Sequence, residues 1–458
     1  MKSILWTVLF LFGVLWNSAA RAASPGFDVG IVVSQYSAEV EAALPVTLTL
    51  PDGRQRTLAA GRYFFAADGG KIRLGAEVYE GPLVLTVAGE KGAGDAGNAG
   101  KGNPATRARE PLPSFLVNKQ DCPGEVRIYA SGEGADLTVV NRVSLEFYVE
   151  SVLGPKSSPV WPDEAIKAQA VAVRSFAWYE KQRQGERLYA VRSVESGAFY
   201  GGGRTVNQAV AAVARTTAGQ VLYYQGAPAA AYSSESSGGR TVAAAEALGY
   251  EVPYLPSVED FDQDCPGYRW EKFIPVATIR RLLNQRDPSL GKLTGYRLST
   301  RTDPDERDRY ASGRVRSLSW QGEQGNLTLT GREFADMLAL PSNDFDMYRA
   351  EAVPDKLDIP IENSAGIEIG RKQMPIEVQE PTRPAWQTTI RGFHFLTGGK
   401  DEGIFFRGRG IGTGLGLSKW GARGMAVAAG DRDGYYRTIL SHYYPGTALV
   451  TVYAAGEP

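Results

Sequence analysis

The sequence predicts an α+β fold, rich in short strands and with a few helices. Three observations carry this: apolar and polar residues alternate in short runs through the first third of the chain, one strong helix signature opens at Pro162, and glycines recur at every second position near residue 410. Composition fits an ordinary globular protein. The 458 residues are 43% hydrophobic and 22% charged, with a formal net charge of -1, which excludes a wholly disordered chain and a polybasic nucleic-acid binder. Glycine is the departure, at 53 residues or about 12% against a usual share near 7%. The 2 cysteines, Cys122 and Cys265, allow at most one disulfide, and the 2 histidines, His394 and His442, leave little room for imidazole chemistry. Neither a metal nor a cofactor is called for.

The elements follow in order. Lys2, an apolar stretch from Ile4 to Trp16 and the small-x-small site Ala20-Arg21-Ala22 read as a signal peptide over 1–22. The product is therefore expected to be exported to the periplasm or cell envelope of a bacterium. No later run is long and apolar enough for a transmembrane helix in the mature chain. Residues 23–88 read as a small β module. Val46, Leu48 and Leu50 alternate and run into the turn Pro51-Asp52-Gly53, and Ile72 to Leu74 and Leu83 to Val87 repeat the pattern. Residues 89–113, dominated by glycine and polar residues, read as a flexible linker, and 114–458 as the main domain, with a polar, proline-bearing insertion of weak structure signals at about 356–387.

Within that domain Val126 to Ile128 and Leu137 to Val140 read as strands. Pro162, Asp163 and Glu164 then begin a helix expected to run to about Lys181. Ile166, Ala170, Val173 and Ala177 mark its core face, and Lys167, Arg174 and Lys181 a solvated basic stripe. The run Tyr232 to Thr241 collects serines, Glu235 and paired glycines in one loop, a composition suited to polar recognition and equally to a serine-rich turn. From Gly408 to Gly416 the alternating glycines, if extended, share one side-chain-free face against which a backbone or a sugar ring can lie.

These residues carry a resemblance. Leu145 to Tyr148, Trp161 to Arg174, the Ser236-Ser237-Gly238-Gly239 loop, Ser312 to Val315, the alternating glycines, Gly421 to Ala426 and His442 to Thr447 together resemble the SpoIID/LytB family of stage II sporulation protein D and the amidase enhancer. The resemblance runs from about residue 115 to the C-terminus and implies a SpoIID-like, multi-segment β-rich core with a cell-wall role. It implies peptidoglycan glycan strands as a partner, and either lytic transglycosylase activity on strands stripped of peptide or stimulation of an N-acetylmuramoyl-L-alanine amidase. A transglycosylase needs a carboxyl group to protonate the glycosidic oxygen.

Here the sequence departs from the family pattern. The position of the family's catalytic glutamate, five before Trp161, is Lys156. Its expected histidines fall on Ser234 and Thr413, and its glutamine on Lys419. The first expectation is therefore a glycan-binding or amidase-enhancing protein without the family's acid. Its candidate substrate-binding residues are Lys156, Trp161, Arg174, Ser234, Ser237, Gly238, Gly239, Gly412, Thr413, Gly414, Ser418 and Trp420. The alternative is a lytic transglycosylase in which Glu235 has become the catalytic carboxylate, with Glu150 and Glu164 as weaker candidates. A third reading, a hydrolase pairing Ser418 or Ser237 with His442, has no motif behind it.

Overall fold

The computed structural model describes residues 24–87, 113–131, 136–195, 198–351, 356–362, 368–375, 393–396, 399, 402–430 and 432–453. The expected signal peptide and nearly all of the expected linker fall outside the described residues. The strands expected at Val46, Ile72, Leu83, Val126 and Leu137 are all present, as Val46–Thr49, Lys71–Leu74, Leu83–Val87, Glu125–Ala130 and Leu137–Ser144. Period-two alternation found them because each buries one face.

The N-terminal strands and those just after residue 113 share two sheets. In the seven-stranded sheet, Gly26–Gln35 lies antiparallel to Leu137–Ser144, and Leu83–Val87 to Glu125–Ala130. In the six-stranded sheet, Ser37–Ala42 pairs with Ser114–Val117. Their apolar faces form one core that includes Leu48, Phe65, Leu85, Phe115 and Ile128. Cys122 is buried in this core and Cys265 lies in a distant loop, and both are free thiols.

Eight α-helices occur among the described residues: α1 (Leu145–Leu153), α2 (Asp163–Arg183), α3 (Gln208–Arg215), α4 (Ala244–Leu248), α5 (Val276–Arg286), α6 (Gly331–Met337), α7 (Lys419–Ala429) and α8 (Tyr436–Tyr443). Helix α2 is the axis of the domain. Ile166, Ala170, Val173 and Ala177 face α1 and the first sheet, while Ala165, Ala168, Val171 and Ala172 face a second core with α7 and α8. A helix with apolar residues on two faces is buried rather than amphipathic, and its alanines let both neighbours approach. The solvated basic stripe is accordingly corrected. Arg174 is 0% exposed, and Lys167 is largely covered, bonding Glu164 at 2.6 Å.

A third core, around Trp320, Phe334, Phe345 and Phe406, is built from α5, α6 and the strands between residues 269 and 409. Part of the expected insertion is regular: Lys356–Glu362 pairs antiparallel with Glu368–Pro375, and the rest of 376–387 lies outside the described residues. Leu357, Ile359 and Ile361 alternate there, a strand pattern masked by the prolines around it.

Candidate functional site

The site lies where the end of α1, the middle of α2, the loop after residue 232 and the start of α7 converge. A small open pocket is lined by Leu153, Lys156, Gln169, Ala172, Val173, Ser233, Ser234, Glu235, Leu417 and Lys419. Helix α1, capped by Ser144, ends at Leu153, and the following turn, in which the Lys156 N-H donates to the Leu153 carbonyl at 2.9 Å, delivers Lys156. The short strand Ser233–Ser234 pairs parallel with Leu417–Ser418 and delivers Ser234 and Glu235 beside Lys419. The Ser418 hydroxyl caps α7 by accepting from the Gly421 N-H at 3.1 Å. Capping places Lys419 and Trp420 in the first turn, the positive end of the helix dipole.

The chemistry of the pocket is mainly cationic. Glu235 is the one carboxylate among the described lining residues, and Lys419 meets its Oε1 at 2.7 Å while the Trp420 Nε1-H donates to the same oxygen at 3.1 Å. Burial pushes Lys156 down to about 8, with Lys419 adding to the effect and Glu235 opposing it. The Ser234 hydroxyl is buried and has no hydrogen-bond partner among the described residues. Gln169 accepts from Ser157 Oγ at 3.0 Å and donates to the Ala165 carbonyl at 3.1 Å. At the rim Trp161 and Trp420 meet edge to face, 5.0 Å between centroids, and the Arg423 guanidinium sits over both rings.

Several expected site residues prove to be framework instead. Arg174 grips Glu146 through two bonds of 2.8 Å, and Glu146 also accepts from the Gly219 N-H and the Tyr453 hydroxyl. No face of Arg174 remains for a substrate. Ser237 and Ser418 are buried; the Ser237 hydroxyl donates to Asp260 while Ser418 caps α7, so both hydroxyls are engaged within the fold. His442 is remote from both in its bonding, with Nε2 on the Glu259 carbonyl at 2.8 Å. The weaker acids are also committed: Glu150 pairs with Arg215 at 2.8 Å, and Glu164 accepts from the Tyr436 N-H at 2.8 Å.

Gly408 lies in the strand Glu402–Arg409, but from Gly410 on the glycine run is not extended. Gly410, Gly412, Gly414 and Gly416 have φ of 69°, 90°, 73° and 71°, so the chain kinks at every second residue and the glycines do not share a strand face. Gly410 and Gly416 pack against another backbone: a Cβ on Gly416 would sit 1.9 Å from the Tyr232 carbonyl oxygen. Gly414 lies against Arg314, and Gly238 against Arg409. Gly239 fits beneath Tyr268. At each of the three a side chain would have to displace a neighbour. Gly412, whose Cβ would meet nothing closer than 3.8 Å, and the exposed Thr413 keep open surroundings.

Two groups were missed at the level of sequence. Arg314, fully enclosed, donates to the Ser237 carbonyl at 3.0 Å, the Gly412 carbonyl at 3.3 Å and Asn343 Oδ1 at 2.9 Å, clamping the serine loop to the glycine run. Asp260 and Asp262 are both buried beneath that loop. Tyr443 donates to Asp260 at 2.6 Å and the Gly238 N-H to Asp262 at 2.9 Å. Burial, together with the Asp262 charge, pushes Asp260 up to about 6. Their sequence, within Glu259 to Asp264, has the look of a solvated acidic run, which conceals the pair.

Among the described residues no group of three or more histidine, cysteine or acidic side chains is placed to hold a metal ion, and no helix is long and apolar enough to cross a membrane. The family model described as stage II sporulation protein, SpoIID, matches residues 133–224, the segment that carries α1 to α3 and two of the pocket's sides. An uncharacterized protein of Brachyspira hyodysenteriae is 26% identical over 318 residues, 69% of this chain and 68% of that protein. The amidase enhancer of Bacillus subtilis is 29% identical over 310 residues, 65% of this chain, which spans 39% of the enhancer's length. The SpoIID match and the likeness to the enhancer agree with the motif order from Leu145 to Thr447 and support the resemblance of the chain to the SpoIID/LytB family.

Proposed function

We propose that this is an exported cell-wall protein that binds peptidoglycan glycan strands, and stimulates an amidase, without cleaving the strands itself. One observation carries the reading. The position that the family resemblance gives to the catalytic acid is Lys156, and the carboxylate nearest to replacing it, Glu235, is engaged by Lys419 and the Trp420 indole. Both partners are donors, so Glu235 is arranged to accept hydrogen bonds, whereas a general acid must present a proton toward the glycosidic oxygen. Lys156 and Ser234 in the pocket, with Trp161, Gly412, Thr413 and Trp420 outside its lining, suit binding. The amidase link is supported by the likeness to the enhancer.

The second reading, a lytic transglycosylase using Glu235, is favoured by the position of this carboxylate in the pocket itself. Sedimentation with intact and with peptide-stripped peptidoglycan, followed by the rate of a cell-wall amidase with and without the protein, tests the first reading. Co-sedimentation and a faster amidase are expected. Absence of both would remove it.

A further inference from the structure

The pocket holds an element that strand binding in general does not require. Ser234 is only 9% exposed, its hydroxyl has no partner among the described residues, and it lies in the pocket wall. A buried hydroxyl without a hydrogen bond is costly unless a ligand completes it. Around it stand Lys156, Lys419 and the N-terminal turn of the eleven-residue α7, against the single carboxylate of Glu235. Two ammonium groups and one carboxylate leave one positive charge in excess, reinforced by the helix end.

We propose that this pocket is a carboxylate subsite, in which the Lys156 ammonium and the Ser234 hydroxyl bind the carboxylate of an acid linked to the sugar. The inference rests on the peptidoglycan reading and deepens it. The shared chemistry has two sources in such a polymer: the lactyl carboxylate of muramic acid where the peptide is gone, and peptide carboxylates where it remains. The charged groups that face Lys156 are Glu235, from the loop after residue 234, and Lys419, from α7. The other lining residues contributed by α1 and α2, Leu153, Gln169, Ala172 and Val173, carry no charge. Because Lys156 loses its proton at about 8, the subsite weakens above that pH, and a bound anion draws a proton onto the lysine.

Calorimetry on the full chain distinguishes the sources. The ligands are N-acetylmuramic acid, its methyl ester, N-acetylglucosamine, and the L-alanyl derivative of N-acetylmuramic acid as free acid and as amide, each at about pH 7 and about pH 9.5. The free acids are expected to bind about tenfold more tightly than their neutral counterparts at the lower pH, with proton uptake near pH 8. The preference should vanish at the higher pH and in Lys156→Met, weaken in Ser234→Ala, and persist in Lys156→Arg. Unchanged melting temperatures show that the variants fold. A preference for N-acetylmuramic acid alone assigns the lactyl source, and one for the alanyl acid alone the peptide source.

Equal binding of acid and ester, with glycan strands still sedimenting the protein, overturns the subsite and leaves the proposed function standing. Inorganic phosphate displacing the strands where acetate does not would also overturn it. Failure to bind strands and acids alike would remove both.

Discussion

Two carboxylate–cation pairs, one within the 133–224 segment and one outside it, show how the same chemistry serves different ends. In the Glu146–Arg174 pair the guanidinium is wholly enclosed, bonds the carboxylate twice and reaches the carbonyls of Ala214 and Gln220, and the carboxylate has two further donors. In the Glu235–Lys419 pair the contact is single, the carboxylate is about a third exposed, and the surroundings hold a second lysine and an unsatisfied serine. Full satisfaction marks a framework joint between α1, α2 and the last strand. Partial satisfaction marks a place where something else can bind.

The comparison can be broken most directly at the framework pair. Arg174→Leu leaves Glu146 buried without its partner and is expected to destabilise the fold by about 3–5 kcal/mol, read as a large fall in the denaturant midpoint. A Lys419→Met change, which leaves only a part-exposed carboxylate, should shift the same midpoint by less than about 1 kcal/mol. Comparable losses for the two would erase the distinction.

Next in size is the glycine run. Gly416→Ala puts a methyl group 1.9 Å from the Tyr232 carbonyl oxygen at a left-handed φ of 71°, and should cost about 2 kcal/mol or more. Gly412→Ala meets only ordinary van der Waals contacts, 3.8 Å from Ser234 Cβ, at a φ of 90° and should cost only the conformational strain, about 1 kcal/mol, with any larger effect appearing in strand binding. Thermal unfolding of both variants separates packing from site.

A separate effect, of pH rather than of packing, is expected from the acid pair beneath the serine loop. The folded-state value of Asp260 is raised to about 6 from 3.8, so the folded protein holds this proton more tightly than the unfolded chain. Its contribution is therefore fully present below about pH 4 and is lost as pH rises through about 6. Unfolding of wild type and Asp260→Asn across this range should show a slope in the first that is flattened in the second. Parallel curves would show that Asp260 keeps its ordinary affinity for protons.

The parts legible in the sequence are those set by local pattern. Helix α2 begins within one residue of Pro162 because proline fixes the first turn and the following acids suit the helix dipole, and its end at Arg183 lies close to the expected Lys181. The strands were legible because a half-buried strand must alternate. Arg174 was misread because its partner lies 28 residues away, and periodicity on one helix cannot show what covers a face. The glycine run was misread because left-handed backbone leaves no mark on the spacing that distinguishes it from a flat strand. Arg314 escaped notice since its acceptors are carbonyls of residues 77 and 98 positions away, which no side-chain pattern encodes. Of the site, the lysine at 156, the serine at 234 and the two tryptophans were all in view. Their relation to one another required the fold.

The central claim is that the pocket binds glycan without cutting it. It is tested most directly by incubating the protein with peptide-stripped glycan strands and analysing the products by mass spectrometry for anhydro-muramyl ends. The expected result is strands retained on the protein with no new anhydro ends. Anhydro ends formed by the wild type and abolished by Glu235→Gln would contradict it, and would make Glu235 the acid of a lytic transglycosylase.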